Sequence, residues 1–280
     1  MKILVTGTSG HIGSAVAERI AQEADVVGLD LHPGPQTTHV GDLLDTMLLR
    51  RLLRGVNAVV HVAALHAPHV GVRSEKDFNR INVDGTKILI DCSLDAGVPR
   101  FIFTSTTSVY GCTSRAKGSA VWVTEALDPN PEDIYDRTKL EAESLCREAA
   151  GPGMTSIVLR MSRCFPEPEH LLAFYRLYRG VDRRDVAEGH YLSLVAPLEG
   201  FEVFNLSAQS PFEKADCDAL WTDPWRVIHR HYPWAKGSFE KRGWSVPQRV
   251  DRVYVIDKAR KYLGYKPRFN FDFVTSDSCL

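Results

Sequence analysis

The sequence predicts an α/β fold with a doubly wound parallel sheet and a small C-terminal lobe. Short apolar runs of strand length alternate with longer stretches in which apolar residues recur at helical spacing. A glycine-rich turn directly follows the first apolar run, as in many sheets of this kind. The alternation stops after residue 207, and tryptophan, histidine, arginine and proline become frequent over 216–243. These observations predict a sheet domain followed by a lobe of different character.

The predicted elements follow one another in a regular order. Strands are predicted over 2–5, 26–30, 58–64, 101–105, 156–160 and 202–206. Helices are predicted after the first turn, in the stretch that ends at residue 53, and over 77–96, 134–150 and 185–196. Because the strands are apolar throughout and helices separate them, the sheet is expected to be parallel and covered on both faces.

Composition and charge argue against several classes of protein. The 280 residues carry a formal net charge of −1, which offers no general attraction to nucleic acid or to an anionic membrane. No apolar run approaches the ~20 residues of a membrane-spanning helix, and the first residues enter a strand without the apolar region of a signal peptide. The six cysteines are scattered, and His229 and His231 lack a third ligand at metal spacing. We therefore expect a soluble cytoplasmic protein with reduced thiols and no metal site.

The glycine-rich turn has the spacing that binding of a dinucleotide requires. Gly7 permits a tight turn after the first strand, Gly10 lets the backbone approach a pyrophosphate, and Gly13 lets the following helix pack closely. His11 and Ile12 lie in the first turn of that helix, whose free N–H groups and dipole attract phosphate. The turn predicts a dinucleotide-binding Rossmann domain over 1–207. A substrate-binding lobe is predicted over 208–280, with a contribution from 163–180.

An acidic residue ends the second predicted strand. Asp30 stands where a carboxylate accepts hydrogen bonds from both hydroxyls of an adenosine ribose. No arginine follows it directly, so a 2′-phosphate would meet an uncompensated negative charge. This position favours NAD over NADP as the cofactor.

A tyrosine and a lysine four residues apart supply candidate chemistry. Tyr135 and Lys139 project from one face of the predicted helix over 134–150. A lysine ammonium and a nicotinamide ring nearby would lower the pKa of the phenol and let it exchange a proton with a substrate hydroxyl. Thr106 lies in a run of hydroxyl residues at the end of the fourth predicted strand, where it could hold the same substrate oxygen.

Several stretches, taken in order, resemble the extended short-chain dehydrogenase/reductases. This family includes nucleotide-sugar 4-epimerases, dehydratases and reductases. The matching stretches are 6–13, 41–43, 61–64, 82–86, 103–111, 135–139, 159–160 and 258–267. The resemblance extends over nearly the whole chain.

The resemblance implies a role for each matching residue. Thr106 corresponds to the family's hydroxyl residue, Tyr135 to its general base and Lys139 to the lysine that binds the nicotinamide ribose. The cofactor would be NAD, and its further contacts would come from Asp42, Leu43, Ala63, Ala64, Leu65 and Asn82. We interpret Asn82 as a positioning residue, because asparagine inside a helix is otherwise mildly unfavourable.

The sequence departs from the family three residues after the Leu-Arg of the fifth strand, where nucleotide-sugar enzymes usually place an asparagine. Arg163 stands there, and an arginine can grip a phosphate or a carboxylate. The alternative interpretation of Arg163 is a structural ion pair. The predicted substrate-binding residues are Thr106, Thr107, Arg163 and His66.

Three functions remain open at this point. The resemblance favours an epimerase of a nucleotide sugar, with a UDP-hexose as the expected substrate and transient oxidation of a hydroxyl as the mechanism. The run 164–168 and the short chain are similar to uronate dehydrogenases, which implies net oxidation of a free sugar or sugar acid. A non-catalytic NAD-binding regulator is the third hypothesis, although all three expected catalytic residues are present.

The resemblance also implies a homodimer, in which the helices 77–96 and 134–150 pair across a two-fold axis. A helix with two contact surfaces should be apolar over more than one face. Partial support comes from Leu89, Cys92, Ser93, Leu140, Ser144 and Leu145. Three acidic residues interrupt the apolar character of the two helices, namely Asp91, Glu141 and Glu143.

Overall fold

A parallel sheet of seven strands forms the centre of the computed structural model, which describes residues 1–115, 118–245 and 248–275. The strands are β1 (Lys2–Thr6), β2 (Asp25–Asp30), β3 (His39–Val40), β4 (Ala58–His61), β5 (Arg100–Thr106), β6 (Val121–Val123), β7 (Thr155–Met161), β8 (Phe201–Leu206) and β9 (Arg252–Tyr254). The central sheet has the order β3-β2-β1-β4-β5-β7-β8, and β6 pairs with β9 in a separate small sheet. The strand order reverses beside β1, which confirms the predicted doubly wound α/β fold.

Helices connect the strands and cover the sheet. They are α1 (His11–Ile20), α2 (Thr46–Leu52), α3 (Glu75–Phe78), α4 (Gly85–Asp95), α5 (Ile134–Ala149), α6 (Glu169–Arg176), α7 (Arg183–Val195), α8 (Cys217–Thr222), α9 (Pro224–His231), α10 (Ala235–Lys241), α11 (Asp257–Leu263) and α12 (Phe271–Thr275). A π-helical turn, Asn79–Asp84, joins α3 to α4, and a 3₁₀ segment, Thr107–Ser114, follows β5. In the part of the chain that is described, no helix is long and apolar enough to span a membrane.

Successive strand residues point to opposite faces of the sheet, which explains why the strands are apolar throughout. On one face, Ile3 and Val5 pack in a cluster with residues of α1, α7 and α11. On the other face, Leu4 packs in a cluster with residues of α2, α4 and α5. Both faces are therefore buried, and the helix α5 that carries Tyr135 and Lys139 lies against the second face.

The structure differs from the sequence prediction at several element boundaries. The edge strand β3 was not predicted, because two residues show no periodicity; it pairs with the end of β2. The strand predicted over 58–64 ends at residue 61, where the chain turns over the edge of the sheet. The helix predicted over 77–96 is divided into α3, the π-helical turn and α4. The pairing of β6 with β9 was also missed, because it joins distant parts of the chain.

The C-terminal lobe has its own apolar cluster, and distant stretches of the chain build it. Ala120, Phe174, Leu220, Val253 and Phe271 all belong to this cluster. Residues 256–265, which follow β9, pack instead against the α1 face of the central sheet. The lobe is therefore discontinuous in sequence, and the predicted division at residue 207 stays a prediction.

Candidate active site

Several predicted site segments lie at or directly after the carboxyl ends of parallel strands. The glycine turn follows β1, Asp30 ends β2, residues 63–66 follow β4, Thr106 ends β5 and Arg163 follows β7. The strands are parallel, so these ends lie at one edge of the sheet. Ligands of open α/β sheets bind at this edge, beside the point where the strand order reverses.

The glycine turn leaves no room for side chains. Gly7 has a φ of 78°, and a Cβ on it would lie 2.7 Å from the backbone nitrogen of Ala63. A Cβ on Gly13 would lie 2.0 Å from the carbonyl oxygen of Gly7. Gly10 is the N-cap of α1, so no side chain caps the helix end, and its first N–H groups are available to a phosphate. This arrangement fits the pyrophosphate of a dinucleotide, and His11 and Ile12 form the start of that helix.

Asp30 is held beside the glycine turn. Its Oδ2 accepts the backbone N–H of Ser9 at 2.9 Å, and its Oδ1 accepts the N–H of His32 at 2.9 Å. Each carboxylate oxygen keeps a further lone pair, so the group can still accept ribose hydroxyls. The negative charge beside the turn agrees with a preference for NAD.

We expect the protein to bind NAD at least about tenfold more tightly than NADP, a difference of about 1.4 kcal/mol. Replacement of Asp30 by asparagine removes the repulsion of a 2′-phosphate and should narrow this preference. Calorimetric titration with both dinucleotides measures it. Asp25→Asn is the matched control, because Asp25 is exposed at the opposite end of the same strand. Equal binding of both dinucleotides by the unchanged protein would contradict the assignment.

A buried chain of hydrogen bonds fixes the backbone after β4. The Thr6 hydroxyl lies 2.7 Å from Nδ1 of His61, and Nε2 of His61 lies 2.9 Å from the Thr86 hydroxyl. Thr86 donates to the carbonyl of Asn82 at 2.6 Å, so His61 donates through Nε2 and accepts the Thr6 proton at Nδ1. Thr6 is then left to accept the N–H groups of residues 62 and 63, both at 3.2 Å. Burial lowers the pKa of His61 to about 3, which keeps the ring neutral.

Asn82 ties the segment after β4 to the helix α5. Its Oδ1 accepts the N–H of Leu65 at 2.8 Å, and its Nδ2 donates to the carbonyl of Leu65 at 2.9 Å and to the Thr138 hydroxyl at 3.1 Å. Thr138 directly precedes Lys139. These bonds agree with a positioning role for Asn82, while the cofactor contacts of residues 63–65 stay predictions.

Three further predicted cofactor residues lie near the same edge. Asp42 is exposed and accepts the N–H of Leu44 at 2.9 Å, whereas Leu43 is buried. His11 lies near Asp182 and Arg183 at the start of α7; burial and Arg183 lower its pKa, and Asp182 opposes them. Their contacts with the cofactor stay predictions. Among the residues described, no group of three His, Cys, Asp or Glu side chains could hold a metal ion.

Tyr135, Lys139 and Thr106 meet where α5 crosses the end of β5. Lys139 is 3% exposed; its Nζ donates to the carbonyl of Thr104 at 2.8 Å and lies 4.6 Å from the centre of the Phe103 ring. The half-buried Tyr135 lies close enough to Thr106 for that hydroxyl to counter part of the rise in the pKa of the phenol. The three predicted catalytic residues are therefore brought to one place, although their roles stay predictions.

The protein residues around Tyr135 raise the pKa of its phenol, whereas the sequence analysis expects Lys139 and a nicotinamide ring to lower it. Burial raises the pKa of Tyr135, and the hydroxyl of Thr106 opposes this rise only in part. Burial also lowers the pKa of Lys139 to about 8, against the effects of Cys146 and Glu143. The expected lowering of the Tyr135 pKa requires Lys139 together with the positively charged nicotinamide ring, and desolvation of the phenolate opposes it.

The segments after β4 and β7 meet beside these residues. The His66 ring stacks on Phe165 at a centroid distance of 6.2 Å. Burial, His69 and the charge of Lys139 lower the pKa of His66. Arg163 donates from Nε to Glu167 at 2.7 Å, and its side chain is 41% exposed. Arg163 therefore forms an ion pair, as its alternative interpretation predicts. The substrate contacts of His66, Arg163 and the buried Thr107 stay predictions.

Sequence reasoning missed a buried ion pair beneath these residues. Glu143 lies one helical turn after Lys139 and is 4% exposed. Its Oε2 lies 2.7 Å from Nη2 of Arg160, and its Oε1 accepts the Ser105 hydroxyl at 2.5 Å. The prediction that Glu143 interrupts an outer face of the helix is therefore wrong. Its i+4 spacing from Lys139, which continues the spacing from Tyr135, would have indicated the inner face.

Comparison with known proteins identifies the family. Residues 3–170 match the model of the NAD dependent epimerase/dehydratase family. The chain belongs to this family. The resemblance to the extended short-chain dehydrogenase/reductases is confirmed, and the cofactor of the family is NAD.

Individual relatives include two kinds of nucleotide-sugar enzyme. A UDP-glucose 4-epimerase from Erwinia amylovora is 33% identical over 180 residues, which cover 57% of this chain and 52% of the relative. A dTDP-glucose 4,6-dehydratase from Streptomyces antibioticus is 28% identical, and the match covers 97% of this chain and 89% of the relative.

A solved structure supports the fold. A short-chain dehydrogenase/reductase superfamily protein from Agrobacterium tumefaciens with bound NAD has a TM-score of 0.74 at 24% identity, covering 98% of this chain and 95% of that chain. The chain spans between 36% and 62% of the length of the first curated relatives it matches.

Proposed function

We propose that this protein is an NAD-dependent epimerase of a nucleotide sugar, with a UDP-hexose as substrate. The observation that carries the proposal is the meeting of Tyr135, Lys139 and Thr106 at the edge of the sheet where the glycine turn and Asp30 also lie. A family model built on NAD-dependent epimerases and dehydratases matches the segment that contains all of these residues. The UDP-glucose 4-epimerase relative supports the choice of substrate class.

Each residue has a distinct task in this proposal. NAD, when bound at this edge of the sheet, would supply a reversible hydride acceptor for a sugar carbon. Tyr135 holds the proton of the sugar hydroxyl while that carbon is oxidised. Thr106 orients the same oxygen by hydrogen bonding. Lys139, anchored on the carbonyl of Thr104, would bind the nicotinamide ribose.

A second candidate function is net oxidation of a free sugar acid. Arg163 favours it, because a half-exposed guanidinium after β7 suits a substrate carboxylate. Glu167 occupies that guanidinium now, so a substrate carboxylate would have to exchange with it. The two candidates differ in whether NADH accumulates.

A substrate panel tests both candidates. Purified protein is incubated with NAD and with UDP-, GDP- and dTDP-hexoses or free uronates, and the products and NADH absorbance are recorded. Thermal shifts identify which compounds bind. The primary proposal expects interconversion of UDP-hexoses without net NADH formation. Steady NADH formation from a uronate, with no activity on UDP-hexoses, would establish the second candidate in its place.

We also propose a homodimer through α4 and α5, supported by the resemblance to the family. The sequence support for it is weaker than expected, because Leu89, Cys92 and Ser93 are buried in the protein's own core. The exposed residues of the two helices are mostly charged, and they include Lys87, Asp91, Asp95, Arg137, Glu141, Arg147 and Glu148. We expect light scattering at micromolar concentration to give the mass of a dimer. A monomer mass under those conditions would contradict the pairing.

The proposed setting is the cytoplasm. The cysteines of the described ranges, Cys92, Cys112, Cys146, Cys164 and Cys217, are free thiols. A reducing compartment maintains this state. Cys279 lies outside the described residues.

A further inference from the structure

The loop that follows β2, residues 31–38, folds back onto the glycine turn and carries none of the predicted site residues. Two glycines make this approach possible. A Cβ on Gly28 would lie 1.9 Å from the carbonyl oxygen of Gln36, and a Cβ on Gly34 would lie 2.7 Å from the hydroxyl oxygen of Ser9. The loop therefore rests against the turn at distances that a larger residue at either glycine would prevent.

Three hydroxyl groups join this loop to the turn. Oγ1 of Thr37 lies 2.8 Å from Oγ1 of Thr8 and 2.8 Å from Oγ of Ser9. The Ser9 hydroxyl donates to the carbonyl of His32 at 2.6 Å. Because each hydroxyl has one proton, Ser9 must accept from Thr37, and Thr37 must accept from Thr8. The series therefore has one direction, from the buried Thr8 to the carbonyl of His32.

The same loop and turn hold the carboxylate of Asp30. One carboxylate oxygen accepts the N–H of Ser9 and the other accepts the N–H of His32, both at 2.9 Å. Since the Ser9 hydroxyl also donates to His32, the three residues form a closed ring of hydrogen bonds. Thr37 lies outside this ring and fixes the hydroxyl that closes it. Rotation of Asp30 away from the turn would break two hydrogen bonds of the ring.

We propose that Thr37 is a specificity-determining residue for the dinucleotide, because it stabilises the ring that holds Asp30. It is a positioning residue, which acts through Ser9 and Asp30 on the adenosine ribose. The proposal rests on the assignment of Asp30 to that ribose and does not depend on the identity of the sugar substrate.

The ring acts on the two dinucleotides in opposite directions. A ribose with a free 2′-hydroxyl needs the carboxylate of Asp30 where the ring places it, and a group that is already in place binds more strongly. A 2′-phosphate needs the carboxylate to move away, because both groups are negatively charged, and the ring resists that movement. The ring therefore favours NAD and disfavours NADP at the same time.

Thr37→Val removes the hydroxyl and keeps the shape of the side chain. We expect this change to weaken NAD binding by about three- to tenfold, the effect of losing one hydrogen bond of ordinary strength. Binding of NADP should stay the same or become tighter, because the carboxylate can then turn away. Calorimetric titration with each dinucleotide measures both dissociation constants. General damage to the fold would instead weaken the binding of both dinucleotides alike.

Thr38→Val is the matched control. Thr38 belongs to the same loop, but its hydroxyl pairs with the backbone of Gly28, whose N–H it accepts at 3.0 Å. Removal of this hydroxyl should leave the ratio of the two dissociation constants unchanged. Thr37→Ser keeps the hydroxyl and should bind both dinucleotides as the unchanged protein does.

Gly34→Ala disturbs the ring without a change at Thr37. The added methyl group would displace the Ser9 hydroxyl, and the φ of Gly34 lies outside the left-handed region, so alanine can adopt it. We expect a narrower preference for NAD, as in Thr37→Val. Thermal unfolding of each variant without ligand shows whether it is folded. If Thr37→Val does not fold, Gly34→Ala decides in its place.

An unchanged ratio of the two dissociation constants in folded Thr37→Val would overturn the role of Thr37. Asp30→Asn separates that result from a failure of the ribose assignment. If Asp30→Asn narrows the preference and Thr37→Val does not, the role of Thr37 alone is wrong. If neither variant changes the preference, or if the unchanged protein does not bind NAD, the assignment of Asp30 is wrong as well.

Discussion

Replacement of Tyr135 by phenylalanine is expected to lower turnover by about 10²- to 10⁴-fold while NAD still binds. The change removes one hydroxyl group and keeps the ring, so the packing of α5 on the sheet is preserved. Lys139 remains anchored on the carbonyl of Thr104. Steady-state kinetics and calorimetric titration with NAD measure the two effects separately.

The pH dependence gives this prediction a second check. Burial raises the pKa of Tyr135, so oxidation by the unchanged protein should speed up as the pH rises toward ionisation of the phenol. The residual rate of Tyr135→Phe should lack this dependence. Tyr262→Phe is the control, because Tyr262 is 48% exposed on the surface. A Tyr135→Phe variant with full biological activity would favour the regulator hypothesis over an enzyme.

Replacement of Glu143 by glutamine should lower the free energy of unfolding by about 3–5 kcal/mol, because it leaves the charge of Arg160 buried without a partner. The two side chains are only 5% and 7% exposed, and Ser105 completes the set of hydrogen bonds. Burial opposes the charge on Arg160, and Glu143 raises its pKa against that effect. Denaturant unfolding monitored by circular dichroism measures the loss.

Two further variants test whether the loss of stability comes from a buried, unpaired charge. Asp91→Asn breaks the exposed pair of Lys87 and Asp91, whose side chains are 58% and 56% exposed, and should cost no more than about 0.5 kcal/mol. The double change Glu143→Leu with Arg160→Met replaces both charges by apolar groups and should recover most of the stability. If Glu143→Gln is as stable as Asp91→Asn, the buried pair is not a major contributor.

Local pattern was sufficient to predict the part of the site that depends on neighbours in sequence. The spacing of Gly7, Gly10 and Gly13 reflects one tight turn and one close helix contact, both of which involve adjacent residues. Tyr135 and Lys139 share a face because residues four apart on a helix always do. The fold class followed from the same kind of information, since each buried strand and each helix has its own period.

Features that depend on distant contacts could not be predicted in this way. Glu143 looks like a surface residue until Arg160 is brought to it from another strand. The sequence shows the charged neighbours of Tyr135 but not the burial of its phenol, which raises the pKa in the protein without cofactor. Burial by distant parts of the chain therefore could not be predicted from the local sequence pattern.

The small sheet of β6 and β9 has a consequence for the order of events during synthesis. The strand β6 emerges from the ribosome well before β9, which is made near the end of the chain. Until then β6 has no partner, and the apolar cluster to which Ala120 and Val253 both belong is incomplete. The strands β1 to β8 of the central sheet are made before β9, whereas the lobe cluster is incomplete until Val253 and Phe271 have been made. A chain that ends before residue 252 would lack β9, the partner of β6. The strand β6 would then stay unpaired and exposed to aggregation and proteolysis.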